Sequence, residues 1–250
     1  MQTLLLTDFD PVRLGRLVDR KSLFMFHWRF RKGGVDPGEW SRRVAVELEP
    51  MFAARLSAAV ALGVFRPAAV IGVADTWSSG DGLMLASGVA GAPAIGIPLA
   101  RRPDGRCLAD ILPRVDGGEG VVVPASTGWF VATLGPQVAR HEAELRDAGR
   151  FEDYHLFHGM AAALTEALAE QTHRRVEELL GIPAAQVGSG RTTRLSPGYP
   201  CCPELATQSI ITGMLDAARI GVSVSETFQM VPELTVSAMV VDHPDARNYL

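Results

Sequence analysis

Little cysteine, no long apolar run and no excess of basic charge mark this sequence. Of 250 residues only three are cysteine, Cys107, Cys201 and Cys202. They form no metal-ligand pattern, and the neighbours Cys201 and Cys202 cannot easily chelate together. An odd, sparse count excludes a disulfide framework and fits a reducing compartment, so a cytoplasmic location is expected. No signal peptide opens the chain and no apolar stretch is long enough to span a bilayer, which leaves no membrane role. A net charge of −4 argues against general nucleic-acid binding, though not against local basic patches. Repeats, low-complexity tails and composition breaks are also missing, so residues 1–250 are expected to form a single domain.

What is present is an ordinary globular composition, 47% hydrophobic and 21% charged, with enough residues to bury a substantial core. Charge is unevenly placed. Between positions 11 and 43 nine cations face three acids, so this stretch carries +6 and the rest −10. Leu23, Phe24, Phe26, Trp28 and Phe30 are interleaved with those cations. The mix reads as a packing face under a solvated charged one, with a docking face for an acidic partner as the alternative.

Along the chain, MQTLLLTDFD is a short apolar lead-in. Residues 41–62 read as a helix that Pro50 should kink or split. Residues 68–74 and 83–87 read as a β-hairpin around the turn-rich Trp77–Gly82. Strand candidates follow at 93–99 and at 119–134, the latter interrupted at Ser126-Thr127-Gly128. Helices are expected at 136–148, 152–180 and 204–219. A second hairpin is expected between 223–230 and 235–241. Strands in hairpins separated by helices predict an α+β fold with a twisted, largely antiparallel sheet flanked by helices.

The strongest helix, 152–180, carries a polar stripe of His155, His158, Glu166, Glu170 and His173 close to one face. Glu170 and His173 have the Glu-x-x-His spacing of di-metal bundles, but the chain offers no second copy, so no metal site is assigned. DYHLFHG at 153–159 nearly spells the Asp-x-His-x-x-Gly of cobalamin ligation. Its glycine falls one place late and no Rossmann-like pattern surrounds it, so the match is refused.

The chemistry concentrates in RTTRLSPGYPCCP, residues 191–203. Pro197 fixes φ for a turn and Gly198 can take a positive φ, so the backbone bends between Arg194 and Tyr199. An arginine fork suits a carboxylate or phosphate, and a tyrosine ring suits a flat base or a cation. An ordinary proline-rich connection would look the same.

The helix at 151–181, the turn RLSPGYPCCPEL and the segment SVSETFQMVPELTVSAMVV, ending in DHPDARNYL, occur in this order. Together they resemble the C-terminal reactivation (activation) domain of cobalamin-dependent methionine synthase, which binds S-adenosylmethionine. LVDRKSLFMFHWRF resembles the family's first segment, and CLADIL at 107–112 its middle one. The resemblance implies a function: holding S-adenosylmethionine so that an inactive, oxidised cobalamin is remethylated while a flavodoxin-like donor supplies one electron. The protein's part would be positioning, with the cobalamin carried on a partner module of methionine synthase or on another corrinoid protein. The basic stretch would suit docking of the acidic electron donor or of the corrinoid's phosphate.

Residue by residue, the resemblance makes Asp19 the partner of the ligand's ammonium and Arg194 that of its carboxylate. Gly198, Tyr199 and Pro200 would line the adenosine. Asn248 and Tyr249 stand where the family has two tyrosines, and Glu166 where its helix carries an acid. No catalytic residue of its own and no metal are implied. The chain departs from the family at Gly188, an acid in the best-known members, at Asn248, in the 73–82 hairpin and at Ile97–Ala100. The homocysteine, folate and cobalamin modules of the family are missing, so a stand-alone version or an excised piece is expected, and Met1 favours the stand-alone version. The missing modules and the altered 73–82 hairpin motivate a second reading, a diverged S-adenosylmethionine-dependent enzyme acting on a small molecule. A third reading is an interaction module that no longer binds the ligand.

Overall fold

A computed structural model describes residues 1–115 and 123–249. The N-terminal segment is not a loose lead-in, because Gln2–Leu6 forms strand β1. Helix α1 (Pro11–Leu17) starts where the Asp10 carboxylate accepts the Val12 N–H at 2.8 Å. Helix α2 (Arg20–Ser22) is capped by Asp19 and widens into a π-helical turn, Leu23–His27. Helix α3 (Pro37–Arg43) is capped by Asp36 and passes through a second π turn, Val44–Leu48, into α4 (Glu49–Ala61). Pro50 therefore does not split the helix. It lies in the first turn of α4, where the wider turn just before it takes up the missing N–H.

Strand β2 (Ala68–Ser79) is longer than expected and reverses at Gly80-Asp81 into β3 (Gly82–Leu85), followed by β4 (Ile95–Ile97). Strand β5 (Ala125–Thr133) continues through Ser126-Thr127-Gly128 without interruption, while the expected strand start at 119–122 lies outside the described residues. Gly128 is there for space: a Cβ at this position would sit 2.0 Å from Val176 Cγ1. Helices α5 (Gln137–Asp147) and α6 (Phe151–Leu179) follow, then strand β6 (Thr193–Leu195) and helix α7 (Thr207–Leu215). Asp216, in the left-handed region at φ 53°, ends α7 short of the expected 219, and a 3₁₀ turn at Ala217–Ile220 completes the segment.

The second expected hairpin does not form. Strand β7 (Ser223–Val224) pairs with β8 (Met230–Val231) as a small separate sheet, closed by Ser225 N–H donating to the Gln229 carbonyl at 2.9 Å. Strand β9 (Thr235–Val241) leaves it for the main sheet, whose order is β4-β3-β2-β5-β9-β6, with β1 on β2. Every strand pairing in that sheet is antiparallel. Both of its faces are covered, so β5 is buried on both sides from Thr127 to Thr133 and β9 from Ser237 to Val241. Phe130, Ala132, Ala238 and Val240 face the layer containing α1, α4, α5 and α6. Trp129, Val131, Met239 and Val241 face α7, the 3₁₀ turn Leu108–Ile111 and Tyr249. This is the α+β, antiparallel-sheet fold expected. No described helix is long and apolar enough to cross a membrane.

Candidate functional site

The two signals from residues 191–203 meet at the free edge of the sheet. Edge strand β6 pairs on one side only, with β9. It carries Arg194 outward to α6, and the chain then bends at once. Tyr199 N–H donates to the Ser196 carbonyl at 3.4 Å across Pro197-Gly198, with Gly198 at φ +88°. A proline followed by a positive-φ glycine is the signature of a type II turn. A second turn follows directly, in which Cys202 N–H donates to the Tyr199 carbonyl at 2.9 Å. Pro200 is exposed within it, and Tyr199 keeps 57% of its surface accessible.

These turns enclose a cavity of about 290 Å³ lined by Thr192, Thr193, Arg194, Ser196, Tyr199 and Arg247. Its main cation is half committed. Arg194 Nη2 donates to Glu166 Oε2 at 2.8 Å, whereas Nη1 is buried and has no acceptor among the described residues. Thr193 Oγ1 is likewise buried without a partner. Thr193 and Arg194 both line the cavity, and a guanidinium with one nitrogen unmet can take a carboxylate, because an unmet donor gains most from an anionic acceptor.

Beneath the cavity lies a buried relay. Glu177 is 1% exposed and accepts the Thr192 hydroxyl at 2.6 Å and the Gly188 N–H at 2.7 Å. Since Thr192 gives its proton to Glu177, it accepts from His173 Nε2–H, 2.7 Å away. Burial lowers the His173 pKa below its ordinary value of 6.5, so the ring is neutral at neutral pH. The relay pins β6 and the Gly188 loop to α6, and with them the backbone bearing Arg194. At position 188, where the resemblance predicts an acid, the chain instead gives a backbone N–H to an acid on α6.

The expected stripe on α6 thus divides among different neighbours. Glu166 and His173 turn to β6, while Glu170 pairs with Arg174 at 3.4 Å. His158 bonds Glu142 on α5 at 2.8 Å, and His155 is exposed.

Of the expected site residues, Arg194, Glu166, Gly198, Tyr199 and Pro200 come together. Asp19 does not join them: it caps α2, accepting the Lys21 N–H at 2.9 Å, and is not part of the cavity wall. Asn248 contributes its carbonyl to Arg106 Nη1 at 3.0 Å. Tyr249 is buried at 6% exposure in the core layer with the Leu108–Ile111 turn, not in the cavity. Its near neighbour Arg247 lines the cavity instead and donates to the Gly190 carbonyl. The sequence reading missed Arg247, Thr192 and Glu177. Arg247 had a signal, its place two residues before Tyr249; Thr192 and Glu177 had none. The cysteines supply no chemistry here, since burial pushes the Cys201 thiol up to about 11 and raises the other two.

Residues 53–250 match the family described as vitamin B12 dependent methionine synthase, activation domain. Methionine synthase of Mycobacterium tuberculosis (strain ATCC 25618 / H37Rv) is 30% identical over 258 residues, covering 93% of this chain. Methionine synthase of Mycobacterium leprae (strain TN) is 30% identical over 257 residues, with the same coverage. The chain spans only 21% of the length of either relative. Among solved structures, the MetH reactivation domain bound to AdoHcy is similar in fold, with a TM-score of 0.78 and 22% identity over 98% of this chain and 80% of that one.

Proposed function

Since the chain belongs to the activation-domain family of vitamin B12-dependent methionine synthase, we propose that it binds S-adenosylmethionine in the Arg194 cavity and presents it for reactivation of a corrinoid partner. The observation that carries this reading is Arg194, which lines the same cavity as the exposed Tyr199 and has one guanidinium nitrogen without an acceptor among the described residues. The ligand's carboxylate would take the free side of the guanidinium, and its nucleoside would lie on the Tyr199 turn. Glu166 would hold the guanidinium in place and give the ligand's cationic end a counter-charge. Asp19, Asn248 and Tyr249 are proposed as more distant contributors, which a bound ligand would have to reach by extending beyond the cavity. The relative described as bound to AdoHcy shares this fold, which supports the reading.

The sulfonium supplies the methyl group, and the corrinoid that accepts it is carried by a partner module. This chain's own residues would bind and orient the donor. Residues 1–250 would work as one domain, with a flavodoxin-like protein as electron donor. A diverged enzyme with a small-molecule acceptor is the second reading, motivated by Gly188 and by the burial of Tyr249. Mixing the protein with a reduced corrinoid protein and methyl-labelled S-adenosylmethionine separates the two. Label on the corrinoid supports reactivation; bound donor with no transfer to several corrinoid partners supports the second reading.

A further inference from the structure

A cavity of about 370 Å³, larger than the one at Arg194, lies apart from it among the N-terminal helices. Its lining includes Arg20, Lys21, Phe24, Lys32, Trp40 and Val44. Two features make it a built space rather than a surface dent. It sits between the two π-helical turns: Phe24 and Met25 come from Leu23–His27, and Val44 opens Val44–Leu48. Single π turns are uncommon and recur at functional sites. The two segments are also clamped together, because Arg20 Nε donates to both carboxylate oxygens of Glu49 at 3.0 Å. Arg20 Nη1 donates to the Gly15 and Val18 carbonyls, and the guanidinium lies 4.1 Å from the Phe52 ring centroid. Arg20 thus spends Nε and Nη1 in holding the walls.

Neither Lys21 nor Lys32 has an ion pair among the described residues, and both are exposed at the rim. The floor below them is apolar, with Phe24 2% and Trp40 9% exposed. Two uncommitted ammonium groups over an aromatic floor, at a volume above the lower bound of about 300 Å³ for ligand pockets, define a specific chemistry. We propose that this cavity binds a small amphipathic anion: an aromatic or acyl body on Phe24 and Trp40, with one carboxylate, sulfonate or phosphate head between Lys21 and Lys32. The apolar body supplies most of the affinity by burial, and the head is selected by charge. No residue lines both this cavity and the one at Arg194.

Fluorescence titration of the whole chain with anilinonaphthalene sulfonate tests this, with uncharged phenylnaphthylamine as the matched control. The expected result is saturation at one site. Replacing both Lys21→Gln and Lys32→Gln should weaken the sulfonate about tenfold, the equivalent of about 1.4 kcal/mol, and leave the uncharged probe unchanged. Val44→Phe, which fills the cavity, should weaken both probes. Equal sulfonate affinity in the wild type and the double lysine variant overturns the proposal, as does a folded Val44→Phe protein that binds both probes as before. The lysine substitutions lie on the surface and keep the test decisive even if Val44→Phe fails to fold.

Discussion

The Arg194 guanidinium is tethered to Glu166 through one nitrogen and idle at the other, with Nη2 2.8 Å from Glu166 Oε2 and Nη1 buried without an acceptor among the described residues. The tether orients the fork, and the idle nitrogen leaves it something to bind. Glu166 side-chain exposure is 60%, so the pair itself adds little to folding.

Glu166→Gln should therefore change thermal stability by less than about 0.5 kcal/mol. It should nonetheless weaken S-adenosylmethionine binding by about three- to tenfold, through the loss of orientation and counter-charge. Calorimetric titration beside a thermal melt reads both quantities. A large loss of stability with unchanged affinity would make Glu166 a structural residue only.

Thr192→Val should behave in the opposite way. It removes the hydroxyl between His173 and buried Glu177, leaving a carboxylate oxygen and a ring nitrogen unmet. The cost should be about 1–3 kcal/mol in urea unfolding, with Thr192→Ser restoring most of it.

The α5–α6 contact should make stability depend on pH. The His158 pKa is raised above 6.5, first by its hydrogen bond to Glu142 and against the effect of burial. The folded state thus holds this proton more tightly than the unfolded one. The contribution is fully present below pH 6.5 and is lost as pH rises through the folded pKa. His27 and His173, lowered chiefly by burial, act with the opposite sign, so wild type alone will not show the effect cleanly. The stability gap between wild type and His158→Gln should be largest on the acid side and close toward alkaline pH. A gap that widens with pH would contradict the assignment.

Gly128→Ala tests the packing of α6 on the sheet. Its Cβ would stand 2.0 Å from Val176 Cγ1, inside any tolerable contact. Destabilisation of about 1–3 kcal/mol is expected, and a second change, Val176→Ala, should recover part of it.

How legible each feature was depends on how local its cause is. The bend at Pro197-Gly198 was readable because turn geometry is written in adjacent residues. Helix α6 was readable because its buried residues recur with helical period. Strand β9 alternates equally well in a hairpin with 223–230 or beside β5, and no neighbouring residue decides between them. Ser126-Thr127-Gly128 looks like a loop, yet the buried Thr127 hydroxyl bonds Thr76 at 2.7 Å and Trp129 Nε1 at 2.8 Å. Those partners exist only once the strands are paired. At the site, Arg194 and Tyr199 share one short segment and were found together. Arg247 and Glu177 reach the same place from distant elements, and Tyr249 has an aromatic ring that suits a core as well as a ligand. Asp19 was assigned by resemblance, and its side chain is engaged in capping α2.

The central claim is that Arg194 binds the carboxylate of S-adenosylmethionine. Isothermal titration of S-adenosylmethionine into wild type and into Arg194→Ala addresses it most directly. Binding by wild type is predicted, with a loss of about ten- to a hundredfold in the variant, the range expected for charge-assisted hydrogen bonds. No heat from wild type at millimolar ligand, or equal affinity in both proteins, would contradict it.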